Sequence, residues 1–334
     1  MQHLIEFLIP AYKRYDGVAE AALSVAKQVS ANCYENVVRI TVVDDASPRF
    51  DRNYLVNSLG SMADLVNIES NESNKGMSQN IYDMVSNSRA AFCSVLTDDD
   101  WLIDGKLSEI VKNLRSIESK NEVGGLFTPR YSYYETGELN CVECKPFSHD
   151  HLIENGPIQA MRHCRNGYIL TGFIFRPEYF AREEWFDNIE NAYFPVINLG
   201  VILSRYSLLF LDRKWFHHTV NNEVHWESWG ADEVSQHRRL YHDYMDALSF
   251  LAGNFKSKDI SPKSKISVSW YEFYNYLREY STLAIPIFDR FNIVSQRTFR
   301  RLAFKFSILF FPVYGVIQVM KNKYLKRIKN EKIH

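Results

Sequence analysis

Four short apolar runs within the first hundred residues each end in a cluster of polar side chains, with helix-like stretches between them. The first, residues 4–10, is stopped by Pro10 and followed by Ala11, Tyr12, Lys13 and Arg14. The second, 37–43, is rich in β-branched residues and ends in Asp44, Asp45, Ala46, Ser47 and Pro48. The third, 64–69, leads into a polar loop over 71–76, and the fourth, 92–97, runs into Asp98, Asp99 and Asp100. Residues 16–29 and 77–88 have helical character. Strands alternating with helices call for right-handed crossovers and a mostly parallel sheet flanked by helices, an α/β fold. Ligands bind such sheets beyond the carboxyl ends of the strands, so the four polar clusters should converge on one crevice.

The acid triplet narrows the chemistry. Carboxylates so close repel one another unless something neutralises them. The usual remedy is a hard divalent cation with oxygen ligands, Mg²⁺ or Mn²⁺, holding the phosphates of a substrate. The plain alternative is a solvated strand-to-helix turn whose Asp residues cap the next helix.

Four motifs occur in order: Ile9 to Arg14, Val42 to Ser47, Asn74-Lys75-Gly76 with Asn80 after it, and Leu96 to Asp100. Together they resemble a nucleotide-sugar glycosyltransferase of family two, with the GT-A (Rossmann-like) fold. The resemblance is strongest over the first third of the chain and extends to about residue 230. It implies that Pro10, Ala11, Tyr12 and Arg14 pass beneath the nucleotide, with Tyr12 offering an aromatic surface near the base. Asp45, or its neighbour Asp44, would accept a hydrogen bond from the base edge; an Asx turn before Pro48 is the bland alternative. Gly76 would let the backbone approach the nucleotide, with Asn74 and Asn80 fixing that loop. Asp98 and Asp100 correspond to the acid-x-acid pair that meets ribose and metal, and Asp99 stays in the site because the family places its first acid where Thr97 stands. The family supplies its general base from an acidic position after a segment like 170–176. Here Glu183, Glu184, Asp187 and Glu190 follow, with Glu190 the first choice and Asp187 the second. Relatives also bring a histidine near the metal at a place corresponding to His217 or His218, and His217 is taken as the ligand. The segment 225–230 would lie toward the acceptor, unless its aromatics serve local packing.

At 334 residues the chain accommodates one large domain with an appendage. The expected division is a catalytic GT-A domain over 1–235 and a helical region over 236–334, with helices at 233–255 and 269–291 joined by a loop over 257–264. The aromatic stripe from Tyr271 to Tyr280 reads as core or interface. No basic leader precedes the first apolar run, which contains Glu6, so no signal peptide is expected. Five scattered cysteines suit a reducing compartment. Cys141 and Cys144 lack a matching paired spacing for zinc.

The net charge of −1 is unevenly spread. Residues 297–334 contain ten Lys or Arg against one acid, giving +9 there and −10 on the remainder. Between those cations lies an aromatic, apolar run over 306–317, short of the roughly 20 residues of a membrane span and interrupted by Pro312 and Gly315. Apolar surface framed by cations fits an interfacial helix pair on an anionic membrane; a helix packed on the catalytic domain with solvated lysines is the alternative. Nucleic acid is not the expected partner, since the aromatics cluster away from the lysines.

These readings lead to a metal-dependent, inverting glycosyltransferase that moves a sugar from a nucleotide-sugar donor to a lipid-linked glycan. It would lie peripherally on the cytoplasmic face of a bacterial membrane and serve O-antigen or capsule assembly; the nearest sub-family resemblance is to abequose transferases. Two rivals are a sugar-phosphate nucleotidyltransferase, which would carry an early Gly-rich loop absent from 11–17, and a non-catalytic nucleotide or glycan binder.

Overall fold

A computed structural model describes residues 2–48, 51–134, 138–167, 170–219, 233–258 and 260–289 of the chain. The segment 225–230 and the basic tail from 297 onward lie outside them. Two compact units divide the chain, one over 1–225 and one over 226–334.

In the first unit the opening strands take the predicted places. β1 (Ile5–Ala11), β2 (Val38–Asp44), β3 (Val66–Ser70) and β4 (Phe92–Val95) are connected by α1 (Tyr15–Ala31), α2 (Arg52–Leu59) with a following 3-10 turn, and α3 (Met77–Asn87). β1 pairs in parallel with both β2 and β4, and β2 pairs in parallel with β3. Burial on both faces explains the continuous apolar runs: Ile5, Phe7, Leu8 and Ile9 are all essentially inaccessible. The run over 92–97 is shorter than its hydropathy suggests. It ends at Val95, and Asp100 opens a separate strand, β5 (Asp100–Leu102).

After α4 (Leu107–Ile117) come β6 (Val123–Phe127), β7 (Arg130–Tyr133), β8 (Leu139–Glu143), β9 (His151–Ile153) and α5 (Pro157–His163). β10 (Phe173–Phe175), α6 (Arg182–Phe186), α7 (Phe194–Arg205), β11 (Ser207–Phe210) and β12 (Phe216–Thr219) complete the unit. The main sheet has eight strands in the order β3-β2-β1-β4-β10-β6-β11-β9. β10 is inserted antiparallel between β4 and β6, while β6 and β11 are parallel. A second sheet of four strands, β5-β12-β7-β8, stands at the carboxyl side of β4. β11 thus belongs to the large sheet and β12 to the small one.

Buried polar side chains fasten the elements. Gln28 of α1 accepts from Leu107 N at 3.0 Å and donates to Ile103 O at 3.1 Å, tying the start of α4 to α1. Arg176 donates to the carbonyls of Val123, Ile117 and Glu118, closing the end of α4, and lies 4.6 Å from the Phe92 ring centre. Glu6, buried within β1, accepts from Thr41 at 2.6 Å and Ser88 at 2.7 Å and faces Arg39 at 3.3 Å. Such complete pairing is what makes a buried carboxylate tolerable.

The second unit contains α8 (Glu233–Ser257) and α9 (Pro262–Asp289), which pack on each other. Lys256 meets the buried Glu272 at 2.7 Å. The turn between them is shorter than the predicted 257–264 loop because Pro262, tolerated in a first helical turn, already starts α9. Among the described residues no helix is long and apolar enough to cross a membrane.

Candidate active site

All four polar clusters lie at the carboxyl ends of β1–β4, where a parallel sheet leaves its crevice. The second and third are wired together. Asp45, 3% exposed, accepts from Asn71 Nδ2 at 2.8 Å, Lys75 N at 2.9 Å and Gly76 N at 2.8 Å. Asn71 also donates to Asn80 Oδ1 at 3.0 Å, and Asn80 donates to Val43 O at 3.2 Å. Asn74 Oδ1 takes a further bond from Gly76 N at 2.9 Å. Gly76 has φ +82, so the loop needs a residue without Cβ there. Asp45, Asn74, Gly76 and Asn80 thus form one network, and Asn71 is a member that its sequence context does not single out.

Asp44 does something else. Fully buried, it accepts from Ser47 N at 2.9 Å and Ser47 Oγ at 2.5 Å, the Asx-type turn anticipated before Pro48. Ser47 Oγ in turn accepts from Lys13 N at 2.9 Å, where Lys13 has φ +67. The loop after Pro10 and Ala11 is thereby anchored to the tip of β2, and it leaves Tyr12 38% exposed with Lys13 4.7 Å from its ring centre.

The three acids take three different environments. Asp98 accepts from Arg14 Nη1 at 3.0 Å. Burial pushes its carboxyl up to about 7, outweighing the Arg14 guanidinium, with Asp99 adding to the rise. Asp99 is partly exposed. Asp100 is 2% exposed; it accepts from Thr97 Oγ1 at 2.8 Å and from His218 Nδ1. Burial alone would raise the Asp100 carboxyl, but the hydrogen bond and charge of His218, then the charge of Arg130, hold it below the ordinary range. Thr97 itself lies against Thr171, its Oγ1 3.3 Å from Thr171 Oγ1. Gly17 explains how the first and fourth clusters come so close: a Cβ there would stand 2.0 Å from Asp98 O.

The histidines resolve by strand parity. β12 runs antiparallel to β5, placing His218 opposite Asp100 and His217 opposite Trp101. Successive side chains face opposite sides of a strand. His218 therefore joins the acids, while His217 stacks between Trp101, 4.0 Å away at 25°, and Tyr133, 4.2 Å away at 7°. Burial, then the charge of Lys214, holds the His217 imidazole below its usual value. Of the two histidines offered by the sequence, His218 lies with the acids, whereas pairing with β5 turns His217, the expected ligand, to the other face.

Asp99, Asp100 and His218 offer ligand atoms all within 4.8 Å of one another, the sole such group among the described residues. Two carboxylates and an imidazole suit Mn²⁺ or Mg²⁺, though they do not distinguish them. The contact between His218 Nδ1 and Asp100 fixes the imidazole beside the acids. Asp187 and Glu190 are exposed in the turn between α6 and α7, and neither belongs to this group. Glu184, nearby, is engaged by Arg205. α6 packs on α3 through Tyr82, whose ring is 6.4 Å from Trp185 and 6.1 Å from Phe186.

With this geometry in place, residues 6–170 match Glycosyl transferase family 2. No curated protein sequence gives a significant match to the chain. Among solved structures, S. aureus TarS 1-349 in complex with UDP-GlcNAc has a TM-score of 0.59 at 14% identity, over 91% of this chain and 79% of that one. S. aureus TarS 1-349 gives 0.55 at 13% identity, over 85% and 81%. A longer S. aureus TarS structure gives 0.55 at 14%, over 83% of this chain but 43% of its own length. Identities this low speak to fold, and the shared fold is the α/β arrangement of a GT-A glycosyltransferase with a mostly parallel sheet between helices. Over residues 6–170, just under half of its length, the chain is thus similar to Glycosyl transferase family 2.

Proposed function

We propose that the protein is a metal-dependent glycosyltransferase that moves a sugar from a nucleotide-sugar donor to a glycan acceptor. The observation that carries this reading is the placement of the Asp45-held loop and of Asp99, Asp100 and His218 beyond the carboxyl ends of parallel strands of one sheet. The relative solved with UDP-GlcNAc supports a nucleotide-sugar donor.

In this reading the loop over 71–76, rigidified by Asp45, borders the nucleotide, with Tyr12 offering its exposed ring to the base and Asp98 within reach of ribose. Asp99, Asp100 and His218 would hold Mn²⁺ or Mg²⁺. Such a cation, when bound, neutralises charge developing on the departing diphosphate. Thr97 and Thr171 keep Asp100 in place, and Arg14 fixes Asp98. The acceptor hydroxyl must lose a proton as it attacks the anomeric carbon with inversion, and a carboxylate on the 183–190 segment is suited to take it. Glu190 is the first candidate and Asp187 the second. The packing of α6 on α3 supports the choice, since α3 begins at the nucleotide loop.

The acceptor is proposed to be lipid-linked, with the basic tail holding the enzyme on the cytoplasmic face of a membrane. O-antigen or capsule assembly, with a deoxyhexose donor such as an abequose nucleotide, is the pathway class this favours. The catalytic domain would span 1–235 and the helical appendage 236–334.

The test is incubation with Mn²⁺ and a panel of UDP-, GDP-, CDP- and dTDP-sugars, monitoring free sugar and nucleoside diphosphate. Slow donor hydrolysis that EDTA abolishes is the expected result. His218→Ala should lose metal-dependent turnover by about a hundredfold, as removal of a ligand or its orienting partner does, whereas His217→Ala should retain it. Glu190→Gln should keep donor binding and lose transfer to acceptor. Pyrophosphate formation from a sugar phosphate and a nucleoside triphosphate, or tight donor binding with no turnover under any metal, would overturn the reading.

A further inference from the structure

Behind the acids, on the face of β5 that carries Trp101 rather than Asp100, an open cavity of about 570 Å³ runs alongside α1. It is lined by Trp101 and His217 together with residues of α1, including Asp16, Glu20 and Lys27. Asp104 and Lys214 also line it. The geometry points to a second carbohydrate-binding site here, which takes a neutral sugar of a glycan chain and is distinct from the crevice that holds Asp99, Asp100 and His218.

The lining selects that ligand class by elimination and by fit. Three carboxylates against two lysines, with Asp16 in the first turn of α1, oppose an anionic ligand such as a phosphate or nucleotide. A cation finds no cage, because the acids here do not form a group of convergent ligand atoms and Asp16 already accepts from Tyr54. A wholly apolar occupant would strand the charged rim. A sugar ring satisfies both halves of the surface: its C–H face lies on an aromatic plate, and its hydroxyls donate to carboxylates such as Glu20 and accept from lysines. The volume falls within the roughly 300–1,000 Å³ of small-molecule clefts.

The site is also mechanically joined to the acids. Trp101 follows Asp100 on β5, His217 precedes His218 on β12, and the two pairs are register partners across one ladder. His217 is held in place by Tyr133 on its other face. A sugar on Trp101 therefore rests on the strands whose opposite face presents Asp100 and His218. This inference rests on the glycosyltransferase reading only in making a glycan the ligand at hand.

Saturation-transfer NMR and calorimetry of the full chain with cellobiose, lactose and N,N′-diacetylchitobiose test it, with UDP titrated separately. Binding of at least one disaccharide, unchanged by saturating UDP, is expected. Trp101→Ala should weaken it by about tenfold or more. Because that variant also removes packing from His217, Glu20→Lys on the exposed face of α1 provides the second arm; it should weaken sugar binding similarly and leave UDP binding intact. No saturation transfer to any of the three sugars, or Glu20→Lys binding as well as the unaltered chain, would overturn the site. Loss of UDP binding with sugar binding retained would count against the donor-site reading instead.

Discussion

At the scale of single residues, Asp45 shows how a carboxylate can organise a loop. It satisfies three donors, two of them backbone amides, in a segment with no strand or helix of its own. Asp45→Ala would leave the Lys75 amide without its acceptor, at a cost of roughly 1–3 kcal/mol where water cannot replace it, and would leave Gly76 N and Asn71 Nδ2 with only their bonds to Asn74 and Asn80. The Lys75 and Gly76 amides should then exchange faster with solvent, and affinity for UDP should fall about tenfold. Unchanged exchange at those amides would remove the organising role. His163 sets a different expectation. Burial, with smaller help from the charges of Arg162 and His151, lowers its imidazole to about 4. A histidine depressed in the folded state stabilises it fully above the unfolded value near 6.5 and progressively less as pH falls toward 4. The loss is at most about 3 kcal/mol, being the span of that shift. Urea unfolding between pH 7 and 4 should show this slope in the unaltered protein and a flatter one in His163→Gln; parallel slopes would refute it.

At the scale of elements, the close approach of α1 to the turn after β4 is the contact that brings the first and fourth polar clusters together. Gly17→Ala would put a methyl group 2.0 Å from the Asp98 carbonyl oxygen, and backbone rather than a flexible side chain would have to yield. Overpacking of that kind costs about 1–3 kcal/mol, and here it should also displace Arg14 from Asp98. Thermal unfolding should therefore drop by several degrees while UDP affinity falls; a variant as stable and as tight as the unaltered chain would show that the contact is slack. The sequence makes the strands β1–β4 and their polar tips legible because each is signalled locally, by an apolar run and the residues that stop it. The small sheet was not legible in the same way. β12 exists because Phe216, His217 and His218 pair with β5, more than a hundred residues earlier in the chain. Which histidine faces the acids is a matter of that long-range register, and a one-residue slip would exchange them. Asn71 and Thr171 escaped notice for a related reason: each acts through a partner, Asp45 or Thr97, that only the folded sheet brings near.

At the scale of the whole molecule, charge is separated along the chain far more than its net value of −1 suggests. The last 38 residues carry +9 and the rest −10, so the two parts should respond oppositely to an anionic surface. Each cation close to such a surface contributes about 1 kcal/mol, and at physiological salt the attraction decays over about 8 Å. Apolar residues within the same tail would add a component that salt does not screen. The full chain should therefore sediment with vesicles containing phosphatidylglycerol, partly release at high salt, and bind neutral phosphatidylcholine vesicles much more weakly. Deleting 297–334 should abolish sedimentation while leaving UDP affinity within about twofold, since the residues proposed for the donor site all lie in the first unit. Binding that is insensitive to lipid charge would assign attachment to the apolar run alone. Sedimentation that survives the deletion would place the membrane-binding surface elsewhere in the protein, and the tail's cations would then need another partner.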